Sequence, residues 1–192
     1  MAVHNASTKE IVYKIAYHGP GMCGKTTNLR FIYNTLPGRQ VGNFLVLDTS
    51  VERTLFFDFL PVVIPMEDGY KVRFHLYTVP GQSYYEASRK LVLKGVDAVV
   101  FVVDSHPDRI AENVESLAML KDDLVSVGLS FDTVPLIVQY NKRDLPNPVP
   151  VDELAPKFNE RKVWSNEAVA RDGVGVFETL SAVADLVTRR TP

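Results

Sequence analysis

The chain has 192 residues, of which 46% are hydrophobic and 23% are charged, the balance of an ordinary globular protein. Its formal net charge of −2 gives neither the basic field of a nucleic-acid-binding protein nor a polybasic patch for an anionic membrane. Length and composition predict one domain that spans 1–192.

Apolar runs alternate with longer amphipathic stretches along the chain, the pattern of a doubly wound, mostly parallel α/β sheet with helices on both faces. The predicted strands are 11–18, 71–78, 98–104, 134–140 and about 162–167. The runs at 98–104 and 134–140 are so uniformly apolar that both strands should be central and covered on both faces. The predicted helices are 25–36, 175–187 and 108–127, the last with Ile110, Val114, Leu117 and Leu124 at helical spacing.

The first predicted strand leads into Gly19-Pro-Gly-Met-Cys-Gly-Lys-Thr26, which matches the phosphate-loop pattern G-x-x-x-x-G-K-[ST] between a strand and a helix. Successive backbone N–H groups of such a loop surround a β-phosphate, and the following helix adds the positive end of its dipole. Lys25 reaches the β- and γ-phosphates, and Thr26 offers its hydroxyl to Mg²⁺. The predicted phosphate site comprises Gly19, Gly21, Met22, Cys23, Gly24, Lys25, Thr26 and Thr27.

Segment 41–60 is less regular. Residues 41–47 are compatible with a short additional strand, and 55–60 alternate so that Phe56, Asp58 and Leu60 face one side. We interpret 55–60 as an edge strand with an unusually apolar outer face. That face either binds a partner or packs inward beneath a loop.

The strand at 71–78 ends in Thr78-Val-Pro-Gly-Gln82. In small GTPases this place reads D-x-x-G-Q, where the glycine N–H contacts the γ-phosphate and the glutamine orients the attacking water. Gly81 and Gln82 fit these roles, whereas Thr78 replaces the aspartate that supports magnesium. The candidates for the missing negative charge are Asp58 and Asp48.

Asn141-Lys-Arg-Asp144 follows the fourth apolar strand in the pattern N-K-x-D. A carboxylate there accepts hydrogen bonds from N1–H and the exocyclic amine of guanine, whereas adenine leaves it unpaired. Sites of this kind reject the wrong partner by roughly 10⁴-fold or more. Asn141 is expected to tie this loop to the phosphate loop, and the stem of Lys142 to lie along the purine ring. The motif predicts GTP and GDP as ligands.

Four stretches carry a close family resemblance: Gly19-Pro-Gly-Met-Cys-Gly-Lys-Thr-Thr-Asn-Leu, Arg53-Thr-Leu-Phe-Phe-Asp-Phe-Leu-Pro61, Phe74-His-Leu-Tyr-Thr-Val-Pro-Gly-Gln82 and Ala87-Ser-Arg-Lys-Leu. From about residue 9 to 188, the chain resembles the MglA family of bacterial Ras-like small GTPases, which act in gliding motility and cell polarity. The resemblance implies a Ras-like P-loop fold and hydrolysis of GTP with Mg²⁺.

The resemblance also implies roles for individual residues. Thr54 corresponds to the switch threonine that senses Mg²⁺ and the γ-phosphate, and Arg53 to an arginine finger supplied in cis. Gln82 corresponds to the residue that positions water. The backbone N–H of Ala168, beside Val169, corresponds to a contact with the base. The implied partners are a roadblock-type GTPase-activating protein (MglB-like) and polarity or motility effectors, with the activator expected on strand 53–60 and the helix that begins near 84–89.

Nothing in the sequence predicts a membrane anchor. No run approaches the ~18 consecutive apolar residues of a membrane-spanning helix. Residue 2 is alanine rather than glycine, and the C-terminal segment has no cysteine for prenylation. The single cysteine excludes an internal disulfide, as is usual in a reducing compartment. We expect a cytoplasmic protein that partners recruit to a cell pole or motility complex.

The motifs together predict a GTP-hydrolysing molecular switch whose turnover is slow until a partner stimulates it. The alternative from another functional class is a guanine-nucleotide-binding scaffold with negligible hydrolysis, which signals by occupancy alone. Thr78 favours the scaffold, whereas the presence of Gln82 and Arg53 favours the enzyme.

Overall fold

The computed structural model describes residues 3–5, 9–38, 40–48, 56–65, 70–82 and 85–189. In chain order, the strands of this part of the protein are β1 (Val3–Asn5), β2 (Glu10–His18), β3 (Leu45–Asp48), β4 (Phe56–Pro65), β5 (Lys71–Thr78), β6 (Ala98–Asp104), β7 (Leu136–Asn141) and β8 (Ser165–Glu167). The helices are α1 (Lys25–Thr35), α2 (Glu86–Leu93), α3 (Ile110–Ser126), α4 (Val151–Phe158) and α5 (Val176–Thr188).

All eight strands of the described residues belong to one sheet, ordered β3-β4-β5-β2-β6-β7-β8, with β1 antiparallel to the start of β2. Strands β5, β2, β6, β7 and β8 run parallel, whereas β4 is antiparallel to both of its neighbours. The chain leaves β2 toward β3–β5 on one side and later returns to place β6 on the other. The sheet therefore switches direction at β2, and ligands of such sheets bind at the carboxyl edge of this point.

Strand β6 shows why the sheet carries helices on both faces. All seven of its residues are buried, and successive side chains point to opposite faces. Val100 and Val102 pack with α1 and α5, whereas Phe101 and Val103 pack with α2, α3 and α4. The six residues of β7 are likewise buried. The prediction of two central strands covered on both sides is confirmed.

Strand β4 corrects the edge-strand prediction. It lies between β3 and β5, and Leu60 is fully buried in the cluster that includes α1. On the other face, the rings of Phe57 and Phe59 lie 5.7 and 4.8 Å from the ring of Tyr77. The described outer edge of the sheet is therefore β3, and Leu60 does not belong to a partner surface. The additional strand predicted at 41–47 forms only from Leu45, as β3 (Leu45–Asp48), and Val41 makes an isolated bridge with Val62.

Helices α1, α3 and α5 lie within two residues of their predicted bounds. One predicted core position in α3 is wrong, because Val114 is 51% exposed while Asn113 is buried beside it. The Asn113 side chain bonds the backbone N–H and C=O of Asp104, which turns this side of the helix toward β6. In the described part of the chain, no helix combines the length and apolar character that a membrane crossing requires.

Candidate functional site

The loop from Gly19 to Gly24 joins β2 to α1 at the carboxyl edge of the sheet. Two of its glycines have left-handed backbone angles, φ 144° at Gly19 and φ 105° at Gly24. A Cβ atom on Gly19 would lie 2.3 Å from the Val102 carbonyl oxygen, and one on Gly24 would lie 2.1 Å from Asn141 Nδ2. Only glycine fits both places, because the conformation and the available space each exclude a side chain.

The Lys25 side chain lies inside this loop. It is 7% exposed, and its Nζ donates hydrogen bonds of 2.8 and 2.6 Å to the carbonyl oxygens of Gly19 and Pro20. Cys23 is fully buried, whereas Met22 and Thr27 are exposed. The loop thus holds a buried cation at the start of a helix, the arrangement that binds phosphate.

Three oxygen-bearing side chains meet beside the loop. Thr26 Oγ1 donates a 2.5 Å hydrogen bond to Asp58 Oδ2, and Thr78 Oγ1 donates a 3.0 Å bond to the same oxygen. The backbone N–H of Asp58 donates to Thr78 Oγ1 at 2.8 Å. Asp58 therefore places a buried carboxylate where Thr78 lacks one. The side chain of Asp48, the other candidate, lies outside the described residues.

The segment after β5 packs directly on the phosphate loop. A Cβ on Gly81 would lie 2.3 Å from the backbone nitrogen of Gly21, so only glycine permits this approach. Gln82 is exposed, and its Cγ lies 4.0 Å from where a Gly21 Cβ would be. Arg53 and Thr54, the other two residues predicted at this end of the site, lie outside the described residues.

A cleft of about 670 Å³ lies at the phosphate-loop end of the site. From the phosphate loop and its neighbouring strands it is lined by Pro20, Gly21, Lys25, Thr26, Asp58, Thr78 and Gln82. Its far wall comes from α3 and from Arg109, which directly precedes that helix and which sequence analysis missed. Arg109 Nη2 donates a 2.9 Å hydrogen bond to the carbonyl of Gly21 and so fixes the tip of the phosphate loop.

Asn141 connects the phosphate loop to the predicted base-recognition loop. It is 2% exposed, its Nδ2 donates to the Cys23 carbonyl at 2.7 Å, and its Oδ1 accepts from the Ala170 N–H at 2.9 Å. The N-K-x-D segment therefore lies beside the phosphate loop, as the sequence predicts, although it is 115 residues or more away along the chain.

Lys142 is held by a residue that sequence analysis missed. Its backbone is left-handed, with φ 66°, and its Nζ lies 2.6 Å from Oδ2 of the fully buried Asp104. Asp104 stands opposite Asn141 in the register of β6 and β7. The sequence does show an acidic residue, Asp104, at the carboxyl end of an apolar strand. Its contact with Lys142, however, can be predicted only once the strand order is known.

Asp144, predicted to recognise the base, likewise has a partner that the sequence did not predict. Its Oδ2 lies 3.2 Å from Nη2 of Arg171, and the two side chains are 30% and 71% exposed. Water screens an ion pair this exposed, so it contributes little to stability. A guanine edge can therefore replace Arg171 at little cost.

The backbone amides of Ala168 and Val169 both donate hydrogen bonds within the protein. The Ala168 N–H donates to the Tyr140 carbonyl at 2.8 Å, and the Val169 N–H donates to the Val174 carbonyl at 3.0 Å. The Ala168 N–H, predicted to contact the base, is thus already engaged by the protein itself.

Two buried titratable groups beside the loop stay neutral near pH 7. Burial, with smaller contributions from Lys25 and Arg89, holds the pKa of His18 well below its usual range. Burial also raises the pKa of the Cys23 thiol, although the nearby Lys25 opposes that shift. The Cys23 thiol is therefore not the thiolate that a nucleophile requires, and the lowered pKa makes the His18 imidazole a weak base.

A phosphate-binding loop at the switch point of a parallel sheet, tied through Asn141 to an N-K-x-D segment, defines the class of P-loop small GTPases. The sequence profile of the ADP-ribosylation factor (Arf) family matches residues 61–185. The chain is also 54% identical to the Mutual gliding-motility protein MglA of Myxococcus xanthus (strain DK1622) over 187 residues, which cover 97% of this chain and 96% of that relative. The chain therefore belongs to the Arf and Ras-like family of GTP-binding small GTPases, as a relative of MglA.

Proposed function

We propose that this protein is a GTP-hydrolysing switch of bacterial motility and cell polarity, slow alone and stimulated by a roadblock-type, MglB-like partner. The observation that carries the proposal is the convergence of Lys25, the Thr26–Asp58 pair and Gln82 on one cleft. The 54% identity to MglA supports the cellular role. Effectors of polarity or motility would recognise the GTP form and recruit the protein from the cytoplasm to a pole or motility complex.

The donor set beside the loop fits Mg²⁺, which prefers hard oxygen ligands and usually shares them with nucleotide phosphates. Thr26 and Asp58 would hold the ion, with Thr54 as a further proposed ligand. Thr78 would act through Asp58, because its hydroxyl donates to the carboxylate and orients it. When bound, Mg²⁺ neutralises negative charge that develops on the transferred phosphoryl group.

The remaining residues of the phosphate end hold the reacting groups. Backbone N–H groups of 19–27 would surround the β-phosphate, and Lys25 would turn from its own loop carbonyls toward the β- and γ-phosphates. Gly81 would bring its N–H to the γ-phosphate. Gln82 would orient the attacking water, and Arg53 would supply positive charge in the transition state.

At the base end, Asp144 would accept the two guanine donors after releasing Arg171, while Asn141 and Lys142 would hold the ring. Ala168 and Val169 would form the wall of this pocket, because their amides are engaged in the protein. Binding of γ-phosphate through Thr54 and Gly81 would order two loops that rearrange after hydrolysis, which is the switch.

The decisive experiment measures single-turnover GTP hydrolysis by the full chain with and without the roadblock-type partner. Gln82→Leu and Arg53→Ala should each lower stimulated hydrolysis by roughly 10²-fold or more while nucleotide affinity stays close to the parent's, because both side chains act mainly in the transition state. Arg189→Ala is the control, since that arginine is exposed at the end of α5. Negligible hydrolysis by the parent even with the partner would mean that the protein is a nucleotide-binding scaffold, and stimulated parental rates in both variants would remove Gln82 and Arg53 from the catalytic machinery.

A further inference from the structure

The motif Ala87-Ser-Arg-Lys-Leu contains a buried arginine that the proposed mechanism does not use. Arg89 is 4% exposed, although it lies on the short helix α2. Its Nε donates a 2.6 Å hydrogen bond to Oδ2 of Asp123, and its Nη1 donates a 2.7 Å bond to the backbone carbonyl of Gln82. One guanidinium thus joins the segment that carries Gln82 to a carboxylate on α3.

Helix α3 provides a fixed support for this contact. Leu117, Leu120 and Leu124 pack it on the sheet, and Asn113 bonds both backbone groups of Asp104 at 2.9 Å. Asp123 projects from the same helix and is 4% exposed. The position of Asp123 relative to β6 and the phosphate loop is therefore set by the core.

The chemistry of the Arg89–Asp123 pair is better suited to orienting a bonded group than to stabilising the packing of α2 on α3. Burying two charges costs several kcal/mol each, and an apolar pair of similar volume often packs two helices at least as well. The planar guanidinium, however, presents donors in a fixed fork, so holding one donor on Asp123 fixes where the other points. The carbonyl that the second donor holds belongs to Gln82.

We propose that Arg89 and Asp123 are positioning residues for Gln82, holding its backbone so that its side chain meets the water that attacks GTP. This inference rests on the proposed role of Gln82. Its physical basis is the steep dependence of catalysis on geometry, since a misplacement of about 1 Å can cost roughly 10²-fold in rate. Neither residue is required to touch nucleotide.

The test compares the full chain with a variant that loses both charges together, Arg89→Met with Asp123→Leu, so that no unpaired charge is buried. Arg89→Lys is a second variant, which keeps the charge and loses the fork. The control is Lys90→Met, because Lys90 is the adjacent cation of α2 and pairs with Glu86 on the surface. Each protein is assayed for GTP and GDP affinity, thermal unfolding, single-turnover hydrolysis with Mg²⁺, and amide hydrogen exchange over 79–82 and 85–93.

The proposal predicts hydrolysis at least about tenfold slower in the double variant and in Arg89→Lys, with nucleotide affinity within about threefold of the parent and faster exchange over 79–82. In a Gln82→Leu background, the same changes should cause no further loss, because the pair acts through Gln82. An unchanged or increased rate in the double variant, unchanged exchange, or a loss that adds to that of Gln82→Leu would overturn the proposal. If Gln82→Leu itself hydrolyses GTP at the parental rate, the proposed function fails instead, and hydrogen exchange still reports whether the tie exists.

Discussion

The carboxylate of Asp58 stands where this site departs from the usual small-GTPase pattern. The family places an aspartate at the end of the strand that precedes the x-x-G-Q segment, and this chain has Thr78 there. Asp58 comes from the neighbouring antiparallel strand and reaches both threonine hydroxyls. The negative charge is therefore moved from β5 to β4 with little displacement in space.

Replacing Asp58 by asparagine tests this assignment with almost no change in shape. We expect the gain in GTP affinity that Mg²⁺ provides to fall by at least roughly 10- to 100-fold, because that is the usual cost of mutating a residue that only supports a metal ligand. Binding of GDP in the presence of a chelator should change little. Titrations of each nucleotide with Mg²⁺ and with a chelator make the comparison.

The matched variant restores the carboxylate from the other strand. Thr78→Asp in the Asp58→Asn background should recover part of the Mg²⁺ dependence, because it returns the charge to the position usual in the family. A Mg²⁺ dependence identical in the parent and in Asp58→Asn would show that the carboxylate serves only the structure.

At the scale of elements, β4 makes a prediction about stability. Leu60 is fully buried beneath α1, whereas Ile64 on the same strand is 46% exposed. Leu60→Ala should lower the free energy of unfolding by about 2–5 kcal/mol, because it leaves a cavity in the core. Ile64→Ala is the control and should cost much less. Urea denaturation measures the free energy of unfolding of both variants. Equal and small losses would contradict the burial of Leu60 in the core.

The positions of the central strands in the sheet were predictable, whereas the strand predicted at 55–60 was wrongly placed at the edge, for a physical reason. In β6 and β7 every residue is apolar enough to bury on either face, so composition alone requires two covering layers. The interior position of β4 in the sheet depends on its pairing with β3, a four-residue strand whose sequence has little periodicity. Helix α4 was not predicted either, because it contains Pro156, a residue that usually argues against a helix interior.

The same distinction applies to the site. The phosphate loop and the N-K-x-D segment were predictable because each is a local pattern whose spacing is fixed by the ligand. Asp104, Arg171 and Arg89 each act through a partner that is distant in sequence, so their roles follow from the strand order and helix packing alone. The local patterns predicted the nucleotide, whereas the tertiary structure was needed to find the residues that hold the predicted nucleotide-binding side chains in place.

At the scale of the molecule, the sheet places the phosphate loop and the N-K-x-D loop side by side. The phosphate loop follows β2 and the base-recognition loop follows β7, and β6 separates these strands in the sheet. The hydrogen bond from Asn141 to the Cys23 carbonyl spans that separation. The predicted phosphate and guanine sites therefore lie at one edge of the sheet, joined by this hydrogen bond.

Nucleotide competition measures the central claim most directly. GTP and GDP should bind at least ~10³-fold more tightly than ATP, because adenine would leave the Asp144 carboxylate desolvated and unpaired. Asp144→Asn should move the preference toward xanthine nucleotides, whose carbonyl accepts from the new amide. Comparable affinities for ATP and GTP in the parent protein would contradict the assignment of this site to guanine.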